Sequence, residues 1–80
     1  MESINFVRVE RAKRKLSQVD LARRSGITQY KIFRSEKENN SNILTYFNYE
    51  ELEKLAKAFD MTVDELVKLY RTEYAEKGEI

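Results

Sequence analysis

The chain has 80 residues, 41% apolar and 36% charged, with a net charge of +1 and neither cysteine nor histidine. That length suits one small domain with a modest core, and the absence of Cys and His excludes disulfides, thiolate or imidazole metal sites, and cysteine or histidine catalysis. The charge is unevenly spread: residues 1–37 hold ten Lys/Arg against four Asp/Glu, and residues 38–80 hold five against ten.

The opening MESINFVRVE has no long apolar run and no cleavage-like site, so no secretory signal is expected. No proline occurs, and Gly26 and Gly78 are the only glycines, which favours helix nearly throughout. A first helix is expected from about Ile4 to Lys15, with Ile4, Val7 and the stem of Arg11 on one face. Ser17 reads as an N-cap, and Asp20 adds a favourable charge in the next turn. The second helix runs from Gln18 to Ser25 with Leu21 and Ala22 inward, and Gly26 suits the left-handed conformation that ends a helix. Thr28 caps a third helix, Gln29 to Glu36.

Lys37 to Phe47, KENNSNILTYF, reads as a polar loop with an apolar end. Asn48 with Glu51 makes a capping-box pattern for a fourth helix, Tyr49 to Phe59, whose inward residues are Leu52, Leu55, Ala56 and Phe59. Asp60 takes the helix-ending turn. Thr62 with Glu65 repeats the capping pattern and opens a fifth helix carrying Val63, Leu66, Val67, Leu69 and Tyr70, a stripe that Tyr74 continues. The expectation is a single all-α domain with its core over about 4–70 and a tail, 71–80, that frays or dimerises. No segment approaches the roughly 18 apolar residues of a membrane span, and a cytoplasmic location is expected.

A basic half joined to an acidic half hints at a polyanion-binding face; the plainer reading is solvated helix faces that differ in sign. The spacing decides more. Two eight-residue helices around Gly26 have the geometry of a helix-turn-helix, with Ala22 small enough for close approach and Leu21, Ile27 and Ile32 locking the pair. One face of the third helix then points outward: Gln29, Tyr30, Phe33 and Arg34. An α-helix fits the DNA major groove, where Gln suits adenine, Arg suits guanine and an aromatic ring meets a thymine methyl.

The stretch LSQVDLARRSGITQYKIFRSE, Leu16 to Glu36, resembles the phage-repressor (Cro/XRE-like) helix-turn-helix family, and LEKLAKAFDMTVDELV, Leu52 to Val67, resembles that family's closing two helices. The resemblance spans about Val7 to Leu69 and implies a compact five-helix, lambda-repressor-like domain that binds operator DNA as a homodimer. It further implies that Gln18 holds a phosphate, that Gln29, Tyr30 and Arg34 sit in the major groove, and that Arg11 pairs with Glu36. Arg23, Lys31 and Lys37 are expected near phosphates, for affinity rather than sequence choice. The sequence departs from the family pattern at Glu38, where glycine is usual, at Ser35, where an apolar residue is usual, and at Phe33, where a polar one is usual. The helix is therefore slightly rotated, or Phe33 reads DNA itself. The loop before Asn48 is also longer than the norm.

Tyr46, Phe47 and Tyr49 form an aromatic cluster, either packing on the core or meeting a second copy; Tyr70 and Tyr74 are further candidates for a dimer contact. No cofactor and no metal is expected. An enzyme is disfavoured, because Glu50, Glu51 and Glu53 lie on a helix surface with no visible partner base or phosphate loop. The alternative function is a protein-interaction module, an antitoxin or anti-repressor component, whose basic face meets an acidic protein.

Overall fold

The computed structural model describes residues 5–37 and 42–75, with the backbone alone for Lys37 and Ala75. The described residues form six α-helices and no strand: α1 (Phe6–Lys13), α2 (Gln18–Ser25), α3 (Gln29–Lys37), α4 (Ile43–Tyr46), α5 (Tyr49–Ala58) and α6 (Val63–Tyr70), the last continued by a π-helical turn over Arg71–Ala75. The expected count was five. The extra element is α4, one turn whose N-cap Asn42 accepts a bond from the Leu44 N–H at 3.0 Å and which buries Ile43.

Local chemistry sets the boundaries. Ser17 and Asp20, Asn48 and Glu51, and Thr62 and Glu65 all form reciprocal capping boxes, satisfying two orphan N–H groups at the start of α2, α5 and α6. The first helix starts at Phe6 among the described residues, and Ile4 lies outside them. Asn5 caps it: the backbone there is extended, and its side-chain oxygen accepts from the Arg8 N–H at 2.9 Å. Both α1 and α5 end in a left-handed residue without glycine, Lys15 at φ 57° and Asp60 at φ 61°. Each is held by a pair of crossed backbone bonds, Lys15 to Ala12 and Leu16 to Arg11 in one case, Asp60 to Lys57 and Met61 to Ala56 in the other.

The core gathers Phe6, Leu21, Ile32, Ile43, Leu55, Phe59 and Leu66, all essentially inaccessible to solvent. Each such side chain contributes about 1.5–3 kcal/mol by leaving water. Helix α2 packs on α3 and α5, α5 on α6, and α1 on α3. The helix pair α2–α3 is thereby clamped from two sides. Among the described residues, no helix is long and apolar enough to cross a membrane.

Candidate nucleic-acid interface

The α2–α3 turn is fixed by backbone preference and by burial. Gly26 takes φ 83° and donates its N–H to Ala22 at 2.8 Å; a Cβ there would meet nothing within 4 Å, so the left-handed backbone alone favours glycine. Ile27 follows into the core, its N–H bonded to Ser25 Oγ at 3.0 Å. Thr28 Oγ1 then accepts from the Lys31 N–H at 3.2 Å and starts α3.

Helix α3 sorts its residues cleanly. Ile32 and Ser35 are buried, and the Glu36 side chain is nearly so, while Gln29, Tyr30 and Phe33 are exposed and Arg34 is half-buried. Phe33 therefore stands on the outward side, and the inward face keeps its register through Ile32 and Ser35. Ser35 serves where an apolar residue is usual because its polar atoms are satisfied. Its hydroxyl donates to Ile32 O at 2.6 Å, and its carbonyl accepts from the Asn5 side-chain amide at 2.8 Å. On the outer face, Arg34 Nη1 donates to the Tyr30 hydroxyl at 2.7 Å.

Arg11 and Glu36 make a bidentate pair, Nε to Oε2 and Nη2 to Oε1, both 2.9 Å, with side chains only 17% and 6% exposed. The Glu36 carboxylate raises the Arg11 pKa further, so the guanidinium stays charged. Gln18 joins them, donating its side-chain amide to Glu36 Oε1 at 3.2 Å. That residue is thus anchored where α1, α2 and α3 meet, at the N-terminal end of α2.

The cations expected near phosphates separate into different settings. Arg23 is exposed on α2. Lys31 turns instead toward α5, with Nζ 2.8 Å from both oxygens of Glu51 and over the rings of Tyr46 and Phe47. Burial pushes the Glu51 carboxyl up, but Lys31 and the Asn48 N–H outweigh it and hold the pKa below the ordinary value. Lys31 ties α3 to α5 and brings less net charge to a polyanion than an isolated lysine. The Lys37 side chain and residues Glu38, Asn39 and Asn40 lie outside the described residues.

Of the five aromatics considered for a dimer contact, Tyr49 is exposed and the other four fall into two separate clusters. Phe47 is 2% exposed and packs edge-on against half-buried Tyr46, with ring centroids 5.1 Å apart. Tyr70, 5% exposed, and half-buried Tyr74 both pack edge-on against Phe6, at 5.7 and 4.8 Å. Phe47 and Tyr70 are taken up by the chain's own core, while Tyr46 and Tyr74 keep part of their surface open. Among the described residues, the large apolar side chains that do face out are Val19, Tyr30, Phe33 and Tyr49.

Two important residues escape the periodicity argument. Asn5 both caps α1 and bonds to Ser35, 30 positions away. Glu10, 2% exposed, accepts from Tyr74 Oη at 2.6 Å, Arg14 at 2.8 Å and Lys13 at 3.1 Å. Burial pushes its carboxyl up, but those three donors more than offset it and hold its pKa below the ordinary value. Burial beside the Glu10 carboxylate pushes the Tyr74 hydroxyl well up. The signal available in the sequence was spacing: Glu10 follows Phe6 and Val7 on the inward face, with Lys13 and Arg14 at ion-pair distance along the helix.

Catalytic chemistry finds little support in the carboxylates: Glu50 and Glu53 are exposed, and Glu51 is engaged by Lys31 and by the α5 cap. Among the described residues, no group of three or more acidic side chains converges as a metal site would require. A two-helix unit with a glycine turn, a rigidly backed second helix and a polar, aromatic outer face has the form that enters a DNA groove. No curated protein and no solved structure matches the chain. Residues 7–71 match the family model of the Cro/C1-type helix-turn-helix DNA-binding domain, and the chain belongs to that family.

Proposed function

We propose that the protein is a sequence-specific regulator of transcription that binds duplex DNA, a repressor of the phage or mobile-element type, acting as a homodimer on an inverted repeat. The observation that carries this reading is the outer face of α3: Gln29, Tyr30, Phe33 and Arg34 project from a helix whose inner face is locked by Ile32, Ser35 and the Arg11–Glu36 pair. In this reading α3 lies in the major groove, with Gln29 and Arg34 bonding base edges and Phe33 against a thymine methyl. Gln18 and Arg23 approach phosphates from α2. With half-sites about 34 Å apart, the two copies of α3 would enter successive major grooves on one side of the duplex.

The second reading is a protein-interaction module using the same face. Its support is the exposure of Tyr30 (65%) and Phe33 (40%), since aromatics are enriched where proteins meet. Salt separates the two. For the DNA-binding reading, duplex affinity falls steeply and linearly on a log–log plot, by about 0.9 in slope for each phosphate contacted. A titration between low and physiological salt that finds no duplex binding, together with salt-resistant binding to one protein, overturns it.

A further inference from the structure

Tyr30 and Arg34 stand one turn apart on the outer face of α3 and are joined twice. Arg34 Nη1 donates to the Tyr30 hydroxyl at 2.7 Å, and the guanidinium carbon lies 5.6 Å from the centre of the tyrosine ring. Tyr30 is 65% exposed, so the core has little hold on its ring. Arg34 is half-buried, and each contact that restrains its rotamers before binding lowers the entropy given up when it binds. A guanidinium carries five N–H donors in one plane, so a bond from one of them to a neighbour helps to orient the whole fork. A hydroxyl one helical turn away is well placed to make that bond, because residues four apart share a face.

We infer that Tyr30 is a positioning residue: it orders Arg34 before DNA arrives, so that the arginine fork meets O6 and N7 of a guanine, and the site therefore selects a G·C pair at that position. The inference rests on the reading of α3 as the groove-facing helix and deepens it. Tyr30 acts through Arg34 and not through a base contact of its own. The tyrosine ring and hydroxyl have separable duties. Phenylalanine at this position keeps the ring under the guanidinium and removes only the acceptor.

The test is a double-mutant cycle on the full chain, using a duplex recovered by selection from a random library and versions of it with each G·C pair replaced. Wild type, Tyr30→Phe, Arg34→Ala and the double variant are compared. Arg34→Ala is expected to abolish discrimination at one G·C pair. Tyr30→Phe is expected to reduce discrimination at that same pair by about threefold to tenfold, to leave the other positions unchanged, and to add nothing on the Arg34→Ala background. Its melting temperature is expected to match wild type, since the hydroxyl is outside the core. An equal loss from Tyr30→Phe with and without Arg34 overturns the inference, because Tyr30 would then touch DNA directly; so does no loss at all. If Arg34→Ala changes no base preference while Gln29→Ala does, the inference fails and the groove-facing reading stands. If no duplex is recovered, that reading fails and the inference with it.

Discussion

Arg11→Ala is expected to lower the unfolding free energy by about 3 kcal/mol, because it strands a nearly buried carboxylate. Glu36 accepts two bonds from Arg11 and one from Gln18, and its side chain is 6% exposed. After the substitution, Glu36 keeps one neutral donor in place of a planar, doubly bonded cation. Arg11 Nη1 also donates to Leu16 O at 2.8 Å, so the substitution loosens the turn that ends α1 as well. Urea unfolding of wild type, Arg11→Ala, Glu36→Leu and the double variant checks this. The double variant should recover much of the loss, since removing both charges leaves no uncompensated buried charge. A loss under about 1 kcal/mol for Arg11→Ala, the range of an exposed pair, would show that water solvates the junction and that the pair does not hold α3 in place.

The second large effect is acid sensitivity centred on Glu10. Its folded-state pKa is below the ordinary 4.5, so the folded protein binds fewer protons there than the unfolded chain. Its contribution is therefore fully present above about pH 4.5 and is lost as pH falls through the lowered folded-state value. Glu51 and Asp20 shift in the same direction, Asp20 because the Ser17 backbone and hydroxyl bond to its ionised form. The urea midpoint is expected to be level between pH 7 and pH 5 and to drop below that. Glu10→Gln should cost about 2 kcal/mol at pH 7, where it gives up charge-assisted bonds, and should flatten the acid limb. Tyr74 works with the opposite sign: its pKa is raised, so its contribution holds below its ordinary value of 10 and declines above it. An unchanged acid limb in Glu10→Gln would contradict the three-donor site and leave Glu10 as a solvated helix charge.

What could be read from the sequence was whatever nearby residues decide among themselves. The boxes at Asn48–Glu51 and Thr62–Glu65 and the Ser17 cap join residues three apart. Gly26 announced its own conformation, and Leu52, Leu55, Ala56 and Phe59 followed the helical period into the core. The short helix α4 has too few residues for any period to show, and a polar run precedes it. The burial of Asn5 and Glu10 could not be read, because Ser35 and Tyr74, the groups that justify burying them, are 30 and 64 positions away. The ion pair of Lys31 could not be read for the same reason: Glu51 lies 20 residues on and was already accounted for as a helix cap. The outer face of α3 was legible because it follows from the turn and the helical period together. The bond between Tyr30 and Arg34 was not, since side-chain geometry on an open face has many solutions.

Selection of bound sequences from a random duplex library, at roughly physiological salt, tests the central claim most directly. The expected product is an inverted repeat with half-sites about ten base pairs apart, each containing a G·C pair whose identity depends on Arg34. Recovery of unenriched duplex, under conditions where the protein is folded, would contradict the claim that the outer face of α3 reads DNA.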